Sequence, residues 1–191
     1  MNYHKMDKTI KRHPVHKVYD GVFNSNSGII VDLLNPTPDM IDINDIASAL
    51  SKICRFGGHP NDFYSVAQHS VIVASLGPSY LCKEALLHDA AEAYLGDVIK
   101  PLKVILGDRY KELETKFTQV IWEKFDLSFE RLAEVKAFDS QAVTLEDAYY
   151  MGDDSRLWFD VMKTININPD TWNHVDARKK FLAFYKLYFE L

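Results

Sequence analysis

Three stretches of helical periodicity carry histidine or aspartate where a core residue belongs, and no other feature of the 191-residue chain constrains its fold as much. In the first stretch, opened by Ser65, the apolar stripe runs Val66, Val73, Leu76, and His69 stands three residues after Val66 and four before Val73. In the second, from Ser79 to Tyr94 or Leu95, His88 and Glu92 fall on the Leu81, Ala85, Leu95 stripe, and Asp89 is four residues after Ala85. In the third, opened by Ser128 and reaching about Tyr150, Asp139 follows Val135 by four residues on the stripe Leu132, Val135, Ala142. A lone inward histidine is ordinarily a hydrogen-bonded core residue, and the dipeptide His88-Asp89 by itself is weak evidence. Buried carboxylates are harder to dismiss, because an unpaired one costs several kcal/mol or takes up a proton. The stripes offer no Lys or Arg to pair with Asp89 and Asp139. A divalent cation would compensate both acids and use both imidazoles; the mixed donor set suits Zn, Mn, Co, Fe or Ni. Such an ion supports hydrolysis. Glu92, one turn after His88 and Asp89, is placed to orient or deprotonate the attacking water.

The remainder of the chain reads as one all-α domain with a small N-terminal β-hairpin. Asn24-Ser25-Asn26-Ser27-Gly28 is a turn cluster between short apolar pieces. After Pro36 and Pro38 the pattern is helical almost to the end. Asp42 or Asn44 caps a helix with Ile46, Ala49, Leu50 and Ile53 on one stripe, and Arg55–Asp62 is a loop. Ser65-x-x-Gln68 is a capping box. Pro101 falls in a connector, a long helix fits Asp108–Phe125, and 153–168 is ambiguous. Val175–Phe189 is an aromatic-rich helix whose Tyr185, Tyr188 and Phe189 exceed a single stripe, a candidate oligomer interface. Met1–Lys17 is polar and basic, reads as a loosely held arm, and lacks the apolar core of a secretory signal.

Composition narrows the partners. A net charge of −5 is unlike a protein that grips a nucleic-acid polymer by its phosphates. The apolar runs are too short for a membrane span. Two cysteines, Cys54 and Cys82, are too few for a disulfide scaffold, so a cytoplasmic protein is expected.

The ordered set His69…His88-Asp89…Asp139 resembles the HD-domain metal-dependent phosphohydrolases. The surrounding residues sharpen the likeness. Arg55-Phe56-Gly57-Gly58-His59, Tyr64–Ser70, Ala85–Glu92, Gly96–Lys103 and Val135–Asp139 are similar to motifs of the 5′-deoxynucleotidases and of the phage-type dATP triphosphohydrolases. The resemblance covers about residues 20–150. It implies an HD-type helical bundle with His69, His88, Asp89 and Asp139 as ligands of one divalent transition metal (Zn, Co or Mn), with Mg as an option at a second, substrate-borne position. It implies that Glu92 positions water, that Asp97 contacts the deoxyribose 3′-hydroxyl and that Arg55 holds phosphate, a role that suits a planar guanidinium. Position 56 is Phe where the deoxynucleotidases carry Trp near the sugar 2′ carbon. Lys100 and Lys103 lie just past Asp97 and could reach the outer phosphates of a triphosphate. The expected activity is hydrolysis of a dNTP, dATP foremost, to triphosphate and deoxynucleoside. The alternatives are a 5′-deoxynucleotidase acting on dNMPs and a non-catalytic nucleotide-sensing module in which Glu92 is dispensable. The resemblance further implies a homo-oligomer, dimer or hexamer, in the cytoplasm, or in the host cytoplasm if the chain is phage-encoded.

Overall fold

A computed structural model describes residues 21–152 and 155–189; the stretch Met1–Lys17, expected to be an arm, lies outside them. The described chain opens with an antiparallel hairpin, β1 (Val22–Asn24) and β2 (Ile30–Asp32), in which Phe23 faces Val31. The expected turn cluster closes it: Gly28 adopts φ +90° and donates its N–H to the Ser25 carbonyl at 3.1 Å. Asp45 accepts from the Ser27 N–H at 2.7 Å and from its hydroxyl at 2.6 Å, which pins the turn to α1 (Ile43–Leu50). Asp42, not Asn44, caps α1, accepting from the N–H groups of Asn44 and Asp45. Its buried apolar face is Ile46, Ala47 and Leu50. Ala49 is only half-buried and Ile53 lies past the helix end, so the expected stripe is displaced.

The centre of the molecule is α2 (Val66–Leu76), in which every residue from Val66 to Ala74 is buried. It packs against α3 (Cys82–Leu87), α7 (Leu132–Glu146) and α9 (His174–Phe189). A helix without a polar face belongs in the interior. The expected single stripe is therefore replaced by burial all round, and His69 is interior whichever way the helix is phased. Ser65 caps α2 through the Gln68 N–H at 3.2 Å, but the Gln68 side chain does not complete the capping box. It donates to the Asp170 carbonyl at 3.0 Å and accepts from the Trp172 N–H at 2.9 Å, tying α2 to the segment before α9.

The one helix expected from Ser79 to Leu95 is broken. A 3₁₀ turn over Ser79–Leu81 leads into α3, and a separate short α4 (Glu92–Leu95) ends at Gly96, whose φ of +81° suits glycine. Between them the N–H groups bond only three residues back, Ala90 to Leu87 at 3.0 Å and Glu92 to Asp89 at 2.9 Å, a tighter winding than α. Pro101 lies not in a connector but in the first turn of α5 (Lys100–Leu106), where its missing N–H costs nothing. The expected long helix is α6 (Asp108–Lys124). Ser128 precedes a 3₁₀ turn and α7 but makes no side-chain cap, and a π-helical turn carries α7 on to Met151. Leu132, expected on the inner stripe of α7, is 38 % exposed. The ambiguous stretch contains α8 (Arg156–Thr164).

The class is the expected one, all-α with a small hairpin, and buried side chains from Val31 to Phe181 form one core. The surplus aromatics of α9 partly join it: Tyr185 stacks on Phe189 at 4.4 Å and meets Phe125 edge-on. Among the described residues no helix is long and apolar enough to cross a membrane.

Candidate metal centre and cleft

α2, the turn after α3, and α7 bring three of the expected ligands, His69, His88 and Asp139, to one point, and Asp89 stands beside both imidazoles without joining that group. His69 Nε2 lies 3.3 Å from His88 Nε2, 3.4 Å from Asp89 Oδ2 and 3.2 Å from Asp139 Oδ1. His88 Nε2 lies 3.1 Å from Asp89 Oδ2 and 3.7 Å from Asp139 Oδ1. Adjacent donors on one ion bonded at about 2.1 Å stand roughly 3.0–3.4 Å apart. The spacing of this cluster is close to that, and His69, His88 and Asp139 form a group able to hold a metal.

The protonation pattern fits as well. His88 Nδ1 is 2.7 Å from the Ala85 carbonyl, which can only accept, so Nδ1 carries the hydrogen. His69 Nδ1 is 2.6 Å from Glu146 Oε1 and donates in the same way. Both rings are thereby held with Nε2 toward the shared point, the tautomer a metal ligand needs. Without a cation the site fills with protons. Burial opposes charge on His88, but Asp89 and Asp139 outweigh it and push its pKa up to about 9. His69 is likewise raised well above the ordinary value: burial and Arg55 oppose its charge, and Glu146, Asp139 and Asp89 prevail. Burial disfavours ionised Asp139, yet hydrogen bonds from His69 and His88 hold it below the usual carboxylate range.

The two acids of the cluster open onto a cleft of about 690 Å³, and the two imidazoles lie behind them. Asp89 and Asp139 are in its wall, with Arg55, Phe56, Glu92, Asp97, Lys100 and Lys103, so each residue expected to meet substrate lines one space. Lys136, Val98 and Ile99 line it too, and their place was not anticipated. Glu92 is 7 % exposed; burial first, then the Asp89 and Asp97 charges, hold its carboxyl well above the usual range. Its Oε1 lies 3.6 Å from Lys103 Nζ, and its Oε2 has no hydrogen-bond partner among the described residues. Lys103 also donates to Glu114 at 2.7 Å. Asp97 is raised by burial despite nearby Arg55.

The expectation that the buried acids lack a basic partner is corrected here. Arg55 comes from a loop rather than a stripe, yet it is 8 % exposed and stands 3.5 Å from Asp89 Oδ2. Its Nε is 3.2 Å from Glu146 Oε2. The side chains of Asp89 and Asp139 are 22 % and 28 % exposed, so they face the cleft rather than the closed core. Beside Arg55 the backbone is strained: Phe56 holds φ +53° and Gly57 φ +63°, and a bulky residue there costs about 1–3 kcal/mol. The Arg55 guanidinium lies 5.5 Å from the Phe56 ring centre.

Sequence reasoning missed Glu146 and Tyr64. Glu146 is fully buried, and the Tyr64 hydroxyl donates to its Oε1 at 2.6 Å. Continuing the α7 stripe by four from Ala142 would have found Glu146, since it extends Val135, Asp139, Ala142. Tyr64 carries no such signal.

No family model matches the chain. It is 41 % identical over 111 residues to an uncharacterized protein of Rhodobacter capsulatus, covering 53 % of this chain and 56 % of that one. It is 47 % identical over 120 residues to the uncharacterized protein YfdR of Escherichia coli (strain K12), covering 63 % of this chain and 67 % of YfdR. With nearly half its residues identical over two thirds of that relative, the chain belongs to the family of YfdR.

Proposed function

We propose that the chain is a metal-dependent phosphohydrolase of the HD-domain kind that acts on deoxynucleotides, with a dNTP, dATP foremost, as the preferred substrate. One observation carries the reading: the Nε2 atoms of His69 and His88 lie 3.3 Å apart and each stands 3.1–3.7 Å from an oxygen of Asp89 and of Asp139, and the two acids line a cleft whose walls hold Arg55, Lys100 and Lys103. The sequence motifs shared with 5′-deoxynucleotidases and dATP triphosphohydrolases add to it.

A divalent cation held by His69, His88, Asp89 and Asp139, when bound, would polarise the phosphoryl oxygens and lower the pKa of water. The chain's own residues do the remainder. Arg55 grips a phosphate through its planar fork. Glu92, with its raised pKa, takes a proton from the attacking water. The water oxygen bonds to the phosphorus that carries O5′, the P–O5′ bond breaks, and the deoxynucleoside leaves as its 5′-hydroxyl after gaining a proton. Asp97, which lines the same cleft, is assigned to accept from a sugar hydroxyl. The same bond breaks in a dNMP and a dNTP, so the two substrates differ only in what is attached beyond the phosphorus. Lys100 and Lys103 favour the longer anion by their charge. One observation favours the monophosphate instead: Lys103 is already paired with Glu114 and Glu92. A homo-oligomer is the expected assembly, and light scattering at a monomer mass contradicts it.

The test is a screen of the common dNMPs and dNTPs with Mn²⁺, Co²⁺ and Zn²⁺, with products separated by chromatography. Triphosphate from dATP supports the preferred reading and inorganic phosphate from dAMP the second. No product from any nucleotide with any metal defeats both.

A further inference from the structure

We infer that Glu146 is a positioning residue that sets the affinity of the centre for its metal and for phosphate at the same time. The inference rests on the metal-centre reading above and extends it to a side chain that touches neither ligand. The two oxygens of one buried carboxylate are divided between the two halves of the site. Oε1 takes His69 Nδ1 at 2.6 Å and the Tyr64 hydroxyl at 2.6 Å; Oε2 faces Arg55 Nε at 3.2 Å. Oε1 therefore fixes the His69 tautomer and ring, and Oε2 holds the stem of the residue assigned to phosphate by charge alone, since neither Oε2 nor Arg55 Nε makes a hydrogen bond among the described residues.

The local fold explains why both tasks fall on one residue. Arg55 and Tyr64 are the two ends of one loop, closed by the Arg55 N–H on the Tyr64 carbonyl at 2.9 Å and by the bridge between Cys54 and Ser65. Both ends meet Glu146 on α7, the helix that also carries Asp139 two turns earlier. A shift of α7 that moved Glu146 would move a metal ligand, the orientation of a second, and the arginine together. A carboxylate is needed, since its partners are all donors. An amide at this place can accept from His69 and Tyr64 only by turning its NH₂ toward Arg55. In the other orientation it offers a donor to His69 Nδ1 and pushes the ring proton to Nε2, where a metal would bind.

The experiment uses full-length protein freed of metal. Wild type, Glu146→Gln and Glu146→Asp are titrated with Co²⁺ and, once loaded with Co²⁺, with inorganic phosphate, by calorimetry and visible absorption. Circular dichroism checks that each variant is folded. The expected result for Glu146→Gln is Co²⁺ affinity weaker by roughly 10–100-fold and phosphate affinity weaker by at least about 5-fold. Glu146→Asp keeps the charge beside Arg55 and so protects the fold, but the shorter stem does not span His69 and Arg55; both affinities fall in the same direction. A purely structural role lowers the melting temperature and leaves both affinities of the folded protein at wild-type values, which overturns the proposal. Loss of one affinity without the other also overturns it. Wild type that takes up no Co²⁺, Mn²⁺ or Zn²⁺ removes the metal-centre reading itself, and this proposal with it.

Discussion

Lys103 Nζ stands 3.6 Å from Glu92 Oε1, so a cation assigned to phosphate also faces the acid assigned to the water. Burial, Asp89 and Asp97 raise the Glu92 pKa, while Lys103 opposes them. Removing the lysine charge takes away that opposition and raises the carboxyl further. A base must be ionised to act, so in Lys103→Met the acid limb of the pH–rate profile moves to higher pH. The measurement is kcat against pH at saturating metal. An acid limb at the wild-type position defeats the assignment of Glu92 as base.

Asp139 Oδ1 faces both imidazoles, at 3.2 Å and 3.7 Å. Asp139→Asn keeps the shape and removes the charge. The expected result is a loss of metal affinity of 100-fold or more and, at fixed metal, a fall in kcat on the order of 10³-fold. Glu92→Ala separates a catalyst from a sensor: the enzyme reading requires metal and nucleotide binding retained with turnover lost. Calorimetry with chromatography of products reads both.

Much of this arrangement could be read from the chain before any coordinates, but unevenly. The Asn24–Gly28 turn, the Asp42 and Ser65 caps and the placing of His69 and Asp139 rest on local signals, side chains bonding backbone a few residues away or recurring at helical spacing. The break between α3 and α4 has no such signal, because Ala85–Glu92 contains neither Gly nor Pro. Its tightening accompanies His88 bonding back to the Ala85 carbonyl, a demand of the site rather than of propensity. Arg55 was assigned to phosphate by motif, but its pairing with Asp89 and Glu146 joins a loop to the turn after α3 and to α7, and no spacing encodes that.

The same pairing predicts a stability effect. Glu146 is fully buried and Arg55 nearly so, and Arg55 is held even more firmly protonated than usual: burial works against its charge, but Glu146 and Asp89 overcome it. Arg55→Met leaves a buried carboxylate without its arginine and is expected to cost on the order of 3 kcal/mol. Adding Glu146→Gln removes the orphaned charge, so the double variant is more stable than the sum of the two single changes by about 1–3 kcal/mol. Urea unfolding of the four proteins closes the cycle. Simple additivity would falsify the claim that these two groups are energetically coupled.

Metal-free and metal-loaded protein should respond to pH with opposite sign. In the metal-free protein the folded His88 pKa is about 9, above the ordinary 6.5, because Asp89 and Asp139 favour the imidazolium despite its burial. A raised folded pKa contributes stability that is fully present below 6.5 and lost as pH rises through about 9. The size of that contribution is on the order of 3 kcal/mol. Loaded protein needs the same Nε2 free of its proton, so the stabilisation by metal is weakest in acid and grows with pH. Melting temperatures between pH 6 and 9.5, with chelator and with Mn²⁺ or Co²⁺, should therefore diverge as pH rises. Parallel curves would mean that His88 does not exchange a proton for a cation, and the centre would lose one of its two imidazoles.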